Sequence, residues 1–150
     1  MRKFLSPILN VINLILVSIA LGLSGQSAVL ETVGHKEVGK GNIYQVIFMG
    51  TKPNVLAFVG FGLLCLACLA LLVAFLPLKA RKFVACVEGL SFVGAGVLFL
   101  IGSVPPHYDC SIVEPKLSAA LIAICVLLFV AGLFSVIMAA LDFTAKKESK

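Results

Sequence analysis

The sequence predicts an all-α membrane protein, a bundle of four transmembrane helices with both termini in the cytoplasm. Three observations predict it. Of the 150 residues, 61% are hydrophobic and 13% charged, with a mean hydropathy of +1.14, whereas soluble domains hold about 45–50% apolar and about 25% charged residues. The apolar residues fall into four runs, 4–24, 54–78, 83–104 and 117–141, with Glu88 the single charge within them. Each run can cross about 30 Å of hydrocarbon at about 1.5 Å per residue. The runs are unbroken rather than alternating, which excludes a membrane barrel, and an open sheet cannot face lipid. The chain reads as one integral membrane domain, 1–150, without space for a separate soluble catalytic domain.

The first run follows Met1-Arg-Lys3. Ser18-Ile-Ala20 resembles a signal-peptidase site, but the apolar stretch continues to Ser24, which suits a span better than a short signal core. Gly25 to Lys52 forms the long first outer loop. Its part from Gln26 to Gly41 is polar and mobile-looking, whereas Ile43 to Met49 is β-branched and aromatic and suits a short strand or an interfacial segment. Pro53 fits the first turn of the second span. The second and third spans are separated only by Lys79-Ala-Arg81-Lys82, so they form a helical hairpin. The second outer loop, Pro105 to Pro115, is stiffened by its prolines, and the fourth span ends at Asp142. No Asn heads a glycosylation sequon.

Charge sets the orientation. Eight basic residues (Arg2, Lys3, Lys79, Arg81, Lys82, Lys146, Lys147, Lys150) lie on the side of the termini and four (Lys36, Lys40, Lys52, Lys116) on the other. Glu31, Glu37, Asp109 and Glu114 neutralise the second set. The positive-inside rule then places both termini in the cytoplasm, in a plasma membrane. The basic face suits anionic headgroups and requires no nucleic acid as partner.

Few residues carry chemistry. Cys65-Leu-Ala-Cys68 is a CxxC, but it sits deep in an apolar run with no neighbouring charge to favour a thiolate, so these thiols read as small hydrophobes. Quinone-coupled disulfide formers need a second, loop-borne pair, and the outer loops hold only Cys110. His35, His107, Asp109 and Cys110 include metal-ligand types without a standard spacing; no metal and no cofactor is expected. Glu88 is the most informative residue, because an ionisable group within a span is costly. It lies roughly 9 Å from the Lys82 end, within reach of Arg81 or Lys82 by snorkelling. Asn10 and Asn13 enter from the same side to comparable depth, and the expectation is one Asn10, Asn13 and Glu88 cluster joining the first and third helices.

Small residues recur every fourth position: Ser18 and Gly22, Ala85 and Gly89, and Ala131, Ser135 and Ala139. Such stripes let helices approach closely, whether within the chain or between chains. Phe58-Val-Gly-Phe-Gly-Leu-Leu64 and Phe92-Val-Gly-Ala-Gly-Val-Leu98 echo each other in opposite directions across the membrane, and glycine-rich apolar composition accounts for the echo.

The topology resembles that of claudin-type and other tetraspan proteins, with a long first and a shorter second outer loop. Those junction proteins carry a Trp-containing signature and two cysteines in the first loop. This chain has no Trp and no cysteine between Gly25 and Lys52, so the resemblance stops at topology and implies no function. Small multidrug transporters place a carboxylate in the first helix, where only Asn10 and Asn13 stand here. Four-helix glutathione-dependent enzymes carry an arginine cluster near the second helix that this chain lacks.

The functional expectation is therefore a non-enzymatic tetraspan protein. It acts by association, as a homo-oligomer or as a small subunit of a larger membrane complex, with the bilayer and itself or another membrane protein as partners. The alternative is a minimal oligomeric channel or transporter with Glu88 near the cytoplasmic mouth. That version needs oligomerisation, because a single four-helix bundle has little room for a pore.

Overall fold

The computed structural model describes residues 2–25, 30–33, 38–41, 54–76, 80–103, 114–117 and 119–145. The elements in chain order are α1 (Arg2–Ser24), β1 (Leu30–Val33), β2 (Val38–Gly41), α2 (Val55–Val73), α3 (Arg81–Gly102), β3 (Glu114–Leu117) and α4 (Ala119–Ala145). All four helices are long and apolar enough to cross a membrane. Only 28 to 44% of each span is buried inside the chain, and the remaining surface is still apolar. Water cannot cover such a surface, and a bilayer can. The chain is a multi-pass membrane protein.

The helix limits differ from the hydropathy runs for local reasons. The second run was expected to 78, yet α2 stops at Val73 with Ala74 as its C-cap. Pro77 lies just beyond, and the residue before a proline is pushed away from helical geometry. α3 starts at Arg81, so it takes in Lys82, and α4 continues past Leu141 to Ala145. At the other end of α2, Asn54 accepts a hydrogen bond from Ala57 N at its Oδ1 (3.1 Å). Its Nδ2 donates to the Gly102 carbonyl at the end of α3 (2.6 Å), so one amide caps α2 and satisfies an orphan carbonyl of α3.

Round the bundle the order is α1, α4, α3, α2; α1 and α2 touch only lightly. The half away from the termini holds the main core, where Val17, Leu64, Phe92, Phe99, Leu121 and Leu128 close on one another. A second cluster, Leu9, Ala85, Met138 and Ala139, lies toward the end carrying both termini. The α3–α4 seam is the tightest. A Cβ at Gly89 would stand 3.0 Å from Gly132 O, and a Cβ at Gly132 would stand 3.0 Å from Gly89 O. At that end Lys82 Nζ lies 5.1 Å from the Phe83 ring centroid and 4.4 Å from that of Phe143. The two rings meet edge to face at 6.0 Å, so a cation and two aromatics tie the start of α3 to the end of α4.

The two loops at the end opposite the termini contribute strands to one antiparallel sheet in the order β2-β1-β3. Leu30 pairs with Gly41 on one side and with Leu117 on the other. For 30–33 and 38–41 this corrects the reading of a mobile polar stretch. Thr32, Val33 and Val38 are β-branched, and β3 supplies from far along the chain the second edge that fixes β1. Leu117, expected to open the fourth span, ends β3 instead. Pro115 sits in β3, an edge strand, where a missing N–H is tolerated. Residues 43–49, expected as a strand or interfacial segment, lie outside the described residues.

Candidate intramembrane polar site

Glu88 stands two turns into α3 with 0% of its surface exposed, enclosed by α1 and α4. The small neighbours Ala85 and Gly89 on its own helix, with Gly132 opposite, bring α4 close enough for a short side chain to reach it. Ser135 Oγ donates to Glu88 Oε1 at 2.8 Å, and Asn13 Nδ2 donates to the same oxygen at 3.0 Å. Asn13 Nδ2 also lies 2.9 Å from Ser135 Oγ and 3.2 Å from Ala131 O, while Ser135 Oγ lies 2.9 Å from Ala131 O. Ser135 has one hydroxyl proton and Asn13 two amide protons, so these three protons cannot make all five contacts at once. The arrangement is a three-helix polar knot, with α1, α3 and α4 each contributing one side chain.

Asn10 does not reach Glu88. Its Nδ2 donates instead to Ala74 O at 3.4 Å, one of the last carbonyls of α2. The reason is height: Asn10 lies nearly one turn below Asn13, level with the end of α2, where carbonyls have no intrahelical donor. Lys82, a possible partner for Glu88 by snorkelling, is committed to the two phenylalanine rings. Ser135 was legible only as a small packing residue, and its hydroxyl is the group that matters. It is the only hydroxyl in α4 apart from Thr144, and that scarcity beside an intramembrane carboxylate was the available signal.

Four side chains of this region leave a buried oxygen without a hydrogen-bond partner among the described residues and are themselves almost wholly enclosed. They are Ser6 (6% exposed), Asn10 (1%), Asn13 (0%) and Glu88 (0%), through Oγ, Oδ1, Oδ1 and Oε2. Asp142 Oδ2 is a fifth such oxygen.

The other singled-out residues separate by location. Ala85, Gly89, Ala131, Ser135 and Ala139 are buried inside the bundle. Ser18 and Gly22 face outward on α1; a Cβ at Gly22 would meet nothing within 4 Å, and Ser18 Oγ is turned back onto Leu14 O at 2.7 Å. Gly60 and Gly96 press against neighbouring helices while Gly62 faces open space, so the two glycine-rich echoes are used differently. Cys65 faces outward, Cys68 is half-buried, and both are free thiols, as are Cys86 and the buried Cys125. Cys125 Sγ donates to Gly96 O at 3.5 Å. Among the described residues no group of three or more His, Cys, Asp and Glu could hold a metal. His35, His107, Asp109 and Cys110 lie outside the described residues.

No protein family matches this sequence, and neither a curated protein nor a solved structure matches the chain.

Proposed function

We propose that this chain is a non-enzymatic tetraspan protein of the plasma membrane that works by association, as a homo-oligomer or as a small subunit of a larger membrane complex, with both termini in the cytoplasm. The observation that carries the reading is the outward pair Ser18 and Gly22. The small residues singled out on α3 and α4 are consumed within the bundle, whereas on α1 the one-turn repeat is left open, beside Ile15 and Ile19, which are both exposed. With its hydroxyl folded back onto Leu14 O, Ser18 presents little more than its Cβ, so a second helix could lie close against α1 there. The orientation rests on the excess of basic residues, eight against four, on the side of the termini.

The second reading is an oligomeric channel or transporter with Glu88 near the cytoplasmic mouth, and the unpartnered Oε2 of Glu88 favours it. Against it, Phe92, Phe99, Leu121 and Leu128 fill the bundle beyond Glu88, so a path through one chain would meet a dry plug. The deciding experiment is gentle extraction of the tagged protein from its own host's membranes and native mass spectrometry of the released species. A stoichiometric foreign subunit or a defined homo-oligomer supports association; a monomer in every detergent and nanodisc tested would end it.

A further inference from the structure

By their places along the helices, the five unpartnered oxygens follow one another in depth as a row. Ser6, Asn10 and Asn13 follow at intervals of four and three residues and therefore share one face of α1, the buried one. Asp142 lies two turns beyond Ser135 on α4, which runs antiparallel to α1, so Asp142 and Ser6 stand at the same height at the end carrying the termini. Glu88 closes the inner end, held on one oxygen by Asn13 and Ser135 and bare on the other. The row starts at the polar end of the bundle and stops below the apolar plug of Phe92 and Leu128.

Four of the five bare atoms share a chemical character. The two amide and two carboxylate oxygens are acceptors, Ser6 Oγ is a hydroxyl that can also donate, and the donors beside Glu88 and Asn10 are already committed: Asn10 Nδ2 to Ala74 O, Asn13 Nδ2 and Ser135 Oγ to Glu88 Oε1 and Ala131 O. An occupant must therefore bring positive charge or protons. At the inner end a single carboxylate is matched in charge by a monovalent ion, whereas a divalent ion would leave an uncompensated charge buried in lipid. Asn10 and Asn13 are separated by about 4.5 Å of helix rise, a gap that two oxygens on one hard cation can bridge.

We propose that Glu88 Oε2 and the side-chain carbonyls of Asn13 and Asn10 bind one monovalent alkali cation. The ion enters past Asp142 and Ser6, with water completing its shell, and it leaves by the same end. The site is independent of the association surface on α1.

The test uses the purified full-length protein in detergent, with thermal unfolding followed by circular dichroism. Sodium, potassium and calcium chlorides are titrated in turn against choline chloride at constant ionic strength. A midpoint that rises and saturates with one of the alkali ions is expected. Glu88→Gln, which replaces one acceptor oxygen by a donor, should abolish that rise, and Asn10→Leu should weaken the apparent affinity about tenfold or more. Should Glu88→Gln fail to fold, equilibrium binding of radioactive sodium or rubidium to the unaltered protein decides, with about one ion per chain expected. A midpoint indifferent to both alkali ions, an undiminished rise in Glu88→Gln, a response to calcium alone, or no bound radioactive ion would each overturn the proposal.

Discussion

Gly89 and Gly132 face each other across the α3–α4 seam with no side chain between them, each so placed that a Cβ on it would lie 3.0 Å from the other's carbonyl oxygen. This contact sets how closely α4 approaches Glu88, and the short reach of Ser135 depends on it. Gly132→Ala would also drive its new methyl to 2.7 Å from Val93 Cγ2. It should destabilise the protein by about 1–3 kcal/mol, the usual cost of overpacking. Gly62→Ala, which meets nothing within 4 Å, should be neutral or stabilising by up to about 1 kcal/mol. Parallel thermal unfolding of the two variants checks the contrast; equal effects would show that the seam is not tight.

Asn54 acts on two helices at once. Asn54→Ala should cost about 1–2 kcal/mol, because the cap of α2 and the bond to Gly102 O disappear together. Asn54→Asp retains the acceptor for Ala57 N and loses the donor to Gly102, so its stability should fall between the two. If Asn54→Asp proved as stable as the original, the Gly102 bond would contribute nothing.

The polar knot should show coupling. Ser135→Ala and Asn13→Ala each remove a donor from Glu88 Oε1, and the combined loss should differ from the sum of the single losses by about 0.5–2 kcal/mol. A double-mutant cycle measured by reversible unfolding in mild detergent gives this term. Strict additivity would mean that the two side chains do not act on the same oxygen.

Gly22→Ile should separate association from stability. The new side chain projects into open space on α1, so the unfolding midpoint should move little, whereas the associated species seen by native mass spectrometry should fall at least tenfold. An unchanged assembly would place the contact elsewhere on the chain.

The four spans were legible because lipid exposure demands long uncharged runs, and that demand leaves little ambiguity in position. Their ends were less so, since Pro77 and the Lys82–phenylalanine contact act on single turns that hydropathy averages away. That Asn13 and Glu88 meet follows from comparable depth in two parallel helices set diagonally across the bundle. That Asn10 turns to Ala74 follows from where α2 stops, a quantity the hydropathy run overestimates. The sheet was illegible for a different reason. β1 is defined by partners on both sides, and one of them, β3, lies in another loop beyond two further spans. Local composition around Leu30 records none of that pairing.

The place of α1 beside α4 also dictates an order of assembly. α1 is made first, and its face bearing Ser6, Asn10 and Asn13 has its main neighbour only when residues 119–145 have been synthesised. β1 likewise waits for β3. During translation the α2–α3 hairpin can close at once, while the first helix remains in the bilayer without its main neighbour, and Asn13 without its contacts to Ala131 and Ser135, until the last one arrives. Maturation is thus a late, long-range closure, and its rate should track release of the final span rather than insertion of the first.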